Sequence, residues 1–85
     1  YLMGYKANSE IRTSIGSIDM IIELKERVFV IEIKFRKTAQ EAMDQILDRR
    51  YYEKYLGQGI PITLLGLSFM YDDKRLVINS VEQAM

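Results

Sequence analysis

Cysteine and histidine are both absent from these 85 residues. Without cysteine there is no disulfide framework, no thiolate metal site and no sulfur nucleophile. Without histidine there is no Ser-His-Asp triad, no imidazole-ligated zinc and no imidazole proton shuttle. Acid–base work must fall to carboxylates, lysine, tyrosine or metal-bound water. A surplus of either charge is missing too, because 12 basic and 12 acidic residues cancel. Whole-chain attraction to nucleic acid is therefore no argument, although a local basic face can coexist with acidic metal ligands. No apolar run approaches membrane-spanning length and no signal peptide is visible. The expectation is a cytoplasmic protein with no membrane partner. A hydrophobic fraction of 48% is enough for a real core. Residues 1–85 read as one small domain, opening in what looks like mid-domain sequence and so part of a longer protein.

The hydrophobic pattern outlines the elements. Residues 5–11 read as a first strand, and residues 13–17 carry turn signals around Gly16. Residues 17–24 and 27–35 are rich in Ile, Val and Phe and read as strands. Lys25-Glu26 is a short polar break between them, so the two should form an antiparallel hairpin. Residues 38–56 read as a helix. Thr38 and Glu41 make a capping box, and Gly57 offers a stop. Ala39, Ala42, Met43, Ile46 and Arg50 recur at helical spacing. Residues 60–69 form a near-continuous apolar strand of the kind buried on both faces. Asp72-Asp73-Lys74 reads as a turn and residues 75–81 as a last strand. The order is β-β-β-α-β-β, an α/β domain with a mixed central sheet whose helix joins two parallel strands.

Charges inside apolar strands are expensive. Asp19 sits in Gly16-Ser17-Ile18-Asp19-Met20-Ile21-Ile22. Glu32 and Lys34 sit in Val28-Phe29-Val30-Ile31-Glu32-Ile33-Lys34-Phe35. Side chains alternate along a strand, so Glu32 and Lys34 share a face. Centring the hairpin on Lys25-Glu26 sets Asp19 opposite Glu32. Two facing carboxylates repel across a ladder, and a divalent cation turns that penalty into a ligand set. Oxygen-only ligands favour Mg²⁺ or Mn²⁺. Asp19, Glu32 and the backbone carbonyl of Ile33 are the candidate ligands. Lys34 is placed to orient the attacking water or to stabilise charge on a phosphoryl transition state. The bland alternative is an Asp-Glu-Lys salt-bridge cluster at a strand edge.

On the helix, Gln45, Arg49 and Tyr52 share one side. Gln45 could bind a metal water or a substrate phosphate, or simply face solvent. Arg49, Arg50, Tyr51, Tyr52, Lys54 and Tyr55 mix cations with aromatics, a combination that grips phosphates and stacks bases. The same residues also fit an amphipathic helix with half-buried tyrosines. Arg36 and Lys37, just past the Glu-Ile-Lys strand, are further phosphate candidates.

In order and spacing these residues resemble the PD-(D/E)XK nuclease superfamily, with its restriction-endonuclease-like fold. The match runs through Ile18-Asp19, Glu32-Ile33-Lys34 and Gln45. It is closer to a branch found as the C-terminal domain of bacterial AAA-ATPase-like proteins of unassigned function. That branch's pattern reads here as Ser9-Glu10, Gly16-Ser17-Ile18-Asp19, Glu32-Ile33-Lys34 and Ala42-Met43-Asp44-Gln45-Ile46 leading to Tyr51. The resemblance implies Mg²⁺-dependent phosphodiester hydrolysis of nucleic acid, DNA foremost, with Asp19, Glu32, Lys34 and Gln45 as catalytic residues. It also implies an ATPase-like domain in the same full-length chain, and a first helix that would lie before Tyr1. Ile18 stands where the proline is usual. Arg49 stands where related branches carry a tyrosine. Two other readings remain open. One is a catalytically vestigial module that binds nucleic acid or protein through its tyrosines and cations. The other is a homodimerisation domain built on its strand edges.

Overall fold

The computed structural model describes residues 6–12 as backbone and residues 17–85 in full. The elements run β1 (Lys6–Arg12), β2 (Ser17–Leu24), β3 (Arg27–Phe35), α1 (Ala39–Arg49), a 3-10 turn (Glu53–Tyr55), β4 (Ile62–Asp72) and β5 (Arg75–Ala84). The strands form one sheet in sequence order. Only β3 and β4, the pair joined through α1, run parallel. The expected start of the first strand at Tyr5, and the turn at residues 13–16, lie outside the described residues.

The hairpin of β2 and β3 closes over Lys25-Glu26, with Leu24 opposite Arg27 and Asp19 opposite Glu32. A short loop and a period of two leave one register that keeps the apolar residues in step. The turn between β4 and β5 is built differently. Asp73 and Lys74 both take positive φ, 48° and 66°. That mirror-image turn matches the right-handed twist of its strands. No helix among the described residues is long and apolar enough to cross a membrane.

Thr38 caps α1, its hydroxyl accepting from the Glu41 N–H at 3.0 Å. The helix ends at Arg49, seven residues short of the expected 56. Gly57 is not the stop. Arg50 takes the left-handed conformation (φ 54°) and its N–H closes on the Ile46 carbonyl. Arg50 is thus an exposed cap and not part of the helix's buried face. Packing explains the early end. On a continued helix Tyr55 would stand about 180° around from Ile46, facing away from the sheet. Turning the chain at Arg50 instead buries Tyr55 in the core with Val28, Val30, Met43, Ile46, Ile62 and Leu64.

α1 covers one face of the sheet. Along β3 the side chains of Val28, Val30, Glu32 and Lys34 are buried beneath it, while Phe29, Ile31 and Ile33 stay half-buried on the other face. β4 alternates in the same way. It is therefore not buried on both faces among the described residues, since their one helix lies on one side. Gly66 marks the closest approach. A Cβ there would lie 2.7 Å from the Ala39 carbonyl oxygen and 2.8 Å from the Met43 nitrogen. The helix backbone rests directly on β4, beside the strand that carries Glu32.

Candidate active site

Five polar residues are buried on the helix-covered face: Ser17, Asp19, Glu32, Lys34 and Ser68. The sheet register explains their grouping. Asp19 of β2 faces Glu32 of β3, Ser17 faces Lys34, and Lys34 is the partner of Ser68 on β4. Lower on the same face the positions turn apolar, as Val30 meets Leu64 and Val28 meets Ile62. The polar residues therefore occupy the carboxyl ends of the parallel pair, and the apolar core holds the opposite ends. The β1–β2 register sets Glu10 at the position opposite Asp19. Acidic positions thus run in a row across three strands.

Glu32 is fully buried and Asp19 is 7% exposed. Buried carboxylates need partners, and α1 and the turn after it supply them. Gln45 donates its amide to Glu32 Oε2 at 3.0 Å. Tyr51 donates its hydroxyl to Asp19 Oδ2 at 2.9 Å. Arg49 donates to that same hydroxyl at 2.8 Å and lies 3.7 Å from Asp19 Oδ2. A relay of Arg49, Tyr51 and Asp19 thus ties the turn after the helix to the sheet.

The turn at Arg50 decides which tyrosine reaches the site. Tyr52, expected on the helix beside Gln45 and Arg49, lies past the helix end and packs against the apolar core. Tyr51 takes the position at Asp19. Arg36 and Lys37 follow β3 with exposed side chains and anchored backbones. The Arg36 N–H bonds the Phe69 carbonyl, and the Lys37 carbonyl accepts from Ser68. Ile33 sits between Glu32 and Lys34 with its side chain on the opposite face.

Among the described residues, no group of three or more acidic, histidine or cysteine side chains surrounds one point. Two facing carboxylates still fit Mg²⁺, which binds through one or two of them and keeps waters and substrate oxygens for the rest. Elsewhere on the same face, Tyr55 is buried beside Glu23. Burial, and then the Glu23 carboxylate, push its phenol up to about 12.

Two residues of this face, Ser17 and Gly66, were not expected from the sequence. Ser17 was legible there, because the pairing that sets Asp19 opposite Glu32 sets Ser17 opposite Lys34. Gly66 carried no such signal, since its role depends on a helix more than twenty residues away along the chain.

A buried Asp on one strand thus faces a Glu-x-Lys on the next, and a glutamine from the following helix bonds the glutamate. A family model of the PD-(D/E)XK nuclease superfamily matches residues 1–80. The chain belongs to that superfamily. It is also 35% identical over 77 residues to an uncharacterized protein in the vnfD 5′ region of Azotobacter chroococcum mcd 1. That match covers 88% of this chain but only 15% of the relative's length. No solved structure matches the chain.

Proposed function

We propose that this domain hydrolyses phosphodiester bonds in nucleic acid, DNA foremost, with the help of Mg²⁺ or Mn²⁺. The observation that carries the reading is the buried in-register pair of Asp19 and Glu32, with Lys34 buried on the same face. Keeping three ionisable groups beneath a helix costs stability unless a ligand uses them. Asp19, Glu32 and the Ile33 carbonyl would hold the cation. Bound there, the metal would polarise a phosphoryl oxygen and lower the pKa of a water. Gln45 holds the Glu32 carboxylate in position through its hydrogen bond. Lys34 donates to the attacking water or to a phosphate oxygen as a compact point charge. Arg36 and Lys37 are exposed beside the site and would grip flanking phosphates. Tyr51 and Arg49 border the site from the turn after α1. The long relative leaves room for further domains, of which an ATPase-like one is the proposal here.

One observation favours a second reading. Asp19 is already engaged by Tyr51 and Arg49, as it would be in a closed module that binds nucleic acid or a second copy without cutting.

Thermal melting with EDTA, Mg²⁺ and Mn²⁺, on the wild type and on Glu32→Ala, separates the two. A metal-dependent rise that vanishes in Glu32→Ala supports the hydrolase. No rise at millimolar metal supports the closed module. Lys34→Ala should then abolish cleavage while keeping the metal-dependent rise. Equal cleavage by Lys34→Ala and wild type would remove Lys34 from the chemistry.

A further inference from the structure

Two serines flank Lys34 in the sheet, Ser17 on one side and Ser68 on the other. Both are buried, at 1% and 0% exposure. Their hydroxyls have different fates. Ser68 donates to the Lys37 carbonyl and so pins the segment leaving β3. Ser17 Oγ meets no donor or acceptor among the described residues. A buried hydroxyl without a partner is destabilising, and proteins keep few of them. This one stands on the face shared by Asp19, Glu32 and Lys34. Among the described residues the Lys34 ammonium, 7% exposed, also makes no ion pair or hydrogen bond. Facing residues on a ladder hold their Cβ atoms about 5 Å apart. One acceptor oxygen can therefore sit within reach of both groups.

We propose that Ser17 and Lys34 form one anion subsite. In it the Ser17 hydroxyl donates to a non-bridging oxygen of the phosphodiester being cut, an assignment that rests on the hydrolase reading above. The chemistry selects the ligand. An ammonium offers only donors, and a hydroxyl beside it has a donor to spare. Together they call for an oxygen-rich anion. The carboxylates that would hold a cation lie one alternation further along the same face, at Asp19 and Glu32. A phosphate placed between them would meet metal ligands on one side and donors on the other. Ser17 is neutral and adds no charge repulsion to that row. Its unmet hydroxyl costs stability, and a phosphate oxygen accepting from it would remove that cost.

The test uses Ser17→Ala and Ser17→Thr with inorganic phosphate as the probe, read by thermal melting at fixed Mg²⁺. Ser17→Ala should melt no lower than wild type without ligand, because it removes an unmet group and leaves the packing nearly intact. It should keep the wild-type rise with Mg²⁺ alone. Its affinity for phosphate should fall about tenfold or more, the weight of one hydrogen bond to a charged group. Ser17→Thr, which keeps the hydroxyl, should recover most of that loss. A ligand-free Ser17→Ala that melts well below wild type would mark a structural serine and overturn the proposal. So would equal phosphate affinity in Ser17→Ala and wild type, or a wild type that phosphate does not stabilise. None of these readings depends on cleavage. If wild type binds phosphate through Ser17 yet cuts no nucleic acid, the subsite stands and the hydrolase reading fails.

Discussion

Replacing Gly66 with alanine puts a carbon where the backbone of α1 already lies. The new Cβ would stand 2.7 Å from the Ala39 oxygen, 2.8 Å from the Met43 nitrogen and 3.3 Å from the Ala42 Cβ. Ordinary contact begins at 3.4 Å, so the helix must retreat by about 0.7 Å (3.4 minus 2.7) at its first turns. No flexible side-chain end can absorb the shift, since the two nearest atoms belong to the backbone. Overpacking of this kind costs about 1–3 kcal/mol. In a domain of this size, about 2 kcal/mol corresponds to a fall in Tm of roughly 8–16 °C. The same retreat lifts Gln45 away from Glu32, whose hydrogen bond is 3.0 Å long. Gly66→Ala should therefore lose stability and also shrink the Mg²⁺-dependent rise in melting, although Gly66 carries no ligand atom of its own. Calorimetric melting with EDTA and with Mg²⁺ reads both effects. If Gly66→Ala melted within about 2 °C of wild type, well under the shift expected for 1 kcal/mol, the close approach would be wrong. If it lost stability yet kept the full Mg²⁺ response, the helix would not position the site.

Three further outcomes are expected. Tyr51→Phe removes the hydroxyl held by Asp19 and should lower metal-free stability by about 1.5 kcal/mol. It should also enlarge the Mg²⁺-dependent rise, because the hydroxyl and the cation compete for Asp19 Oδ2; a smaller rise in the variant would show that Tyr51 supports the cation instead. The Tyr55 phenol is raised from 10.0 to about 12, so between those values the unfolded chain loses its proton while the folded protein keeps it. Stability from this group is thus fully present below pH 10 and is lost as pH rises toward 12. Tyr55→Phe should flatten the fall between pH 10 and 12 in denaturant titrations, and an unchanged slope would contradict the assigned cause. Arg49→Ala should leave the Tyr51–Asp19 hydrogen bond in place and cost about 0.5 kcal/mol, as expected for a partly exposed charge 3.7 Å from its partner. A loss several times larger in chemical denaturation would mean that Arg49 holds the turn after α1 together.

The strand order and the pairing of the site's two carboxylates were legible in the sequence, although β4 runs from Ile62 to Asp72 and β5 to Ala84 where residues 60–69 and 75–81 were expected. Both follow from local rules: side chains alternate along a strand, and a short polar break allows few registers. Asp19 faces Glu32, and Lys34 shares their face, for that reason alone. The helix start was legible in the same way, as the Thr38 cap formed from residues three apart. The helix end was not. Gly57 is the better stop by composition, but Arg50 turns the chain because only that turn brings Tyr55 onto the core. Hence Tyr51, and not Tyr52, reaches Asp19. Tertiary structure also decided that one face of β4 stays half-buried, that Gly66 seats the helix, and that Ser17 keeps a buried hydroxyl beside Lys34. These features depend on where a helix lies against a sheet. That placement comes from packing residues distant in sequence, which no local pattern encodes.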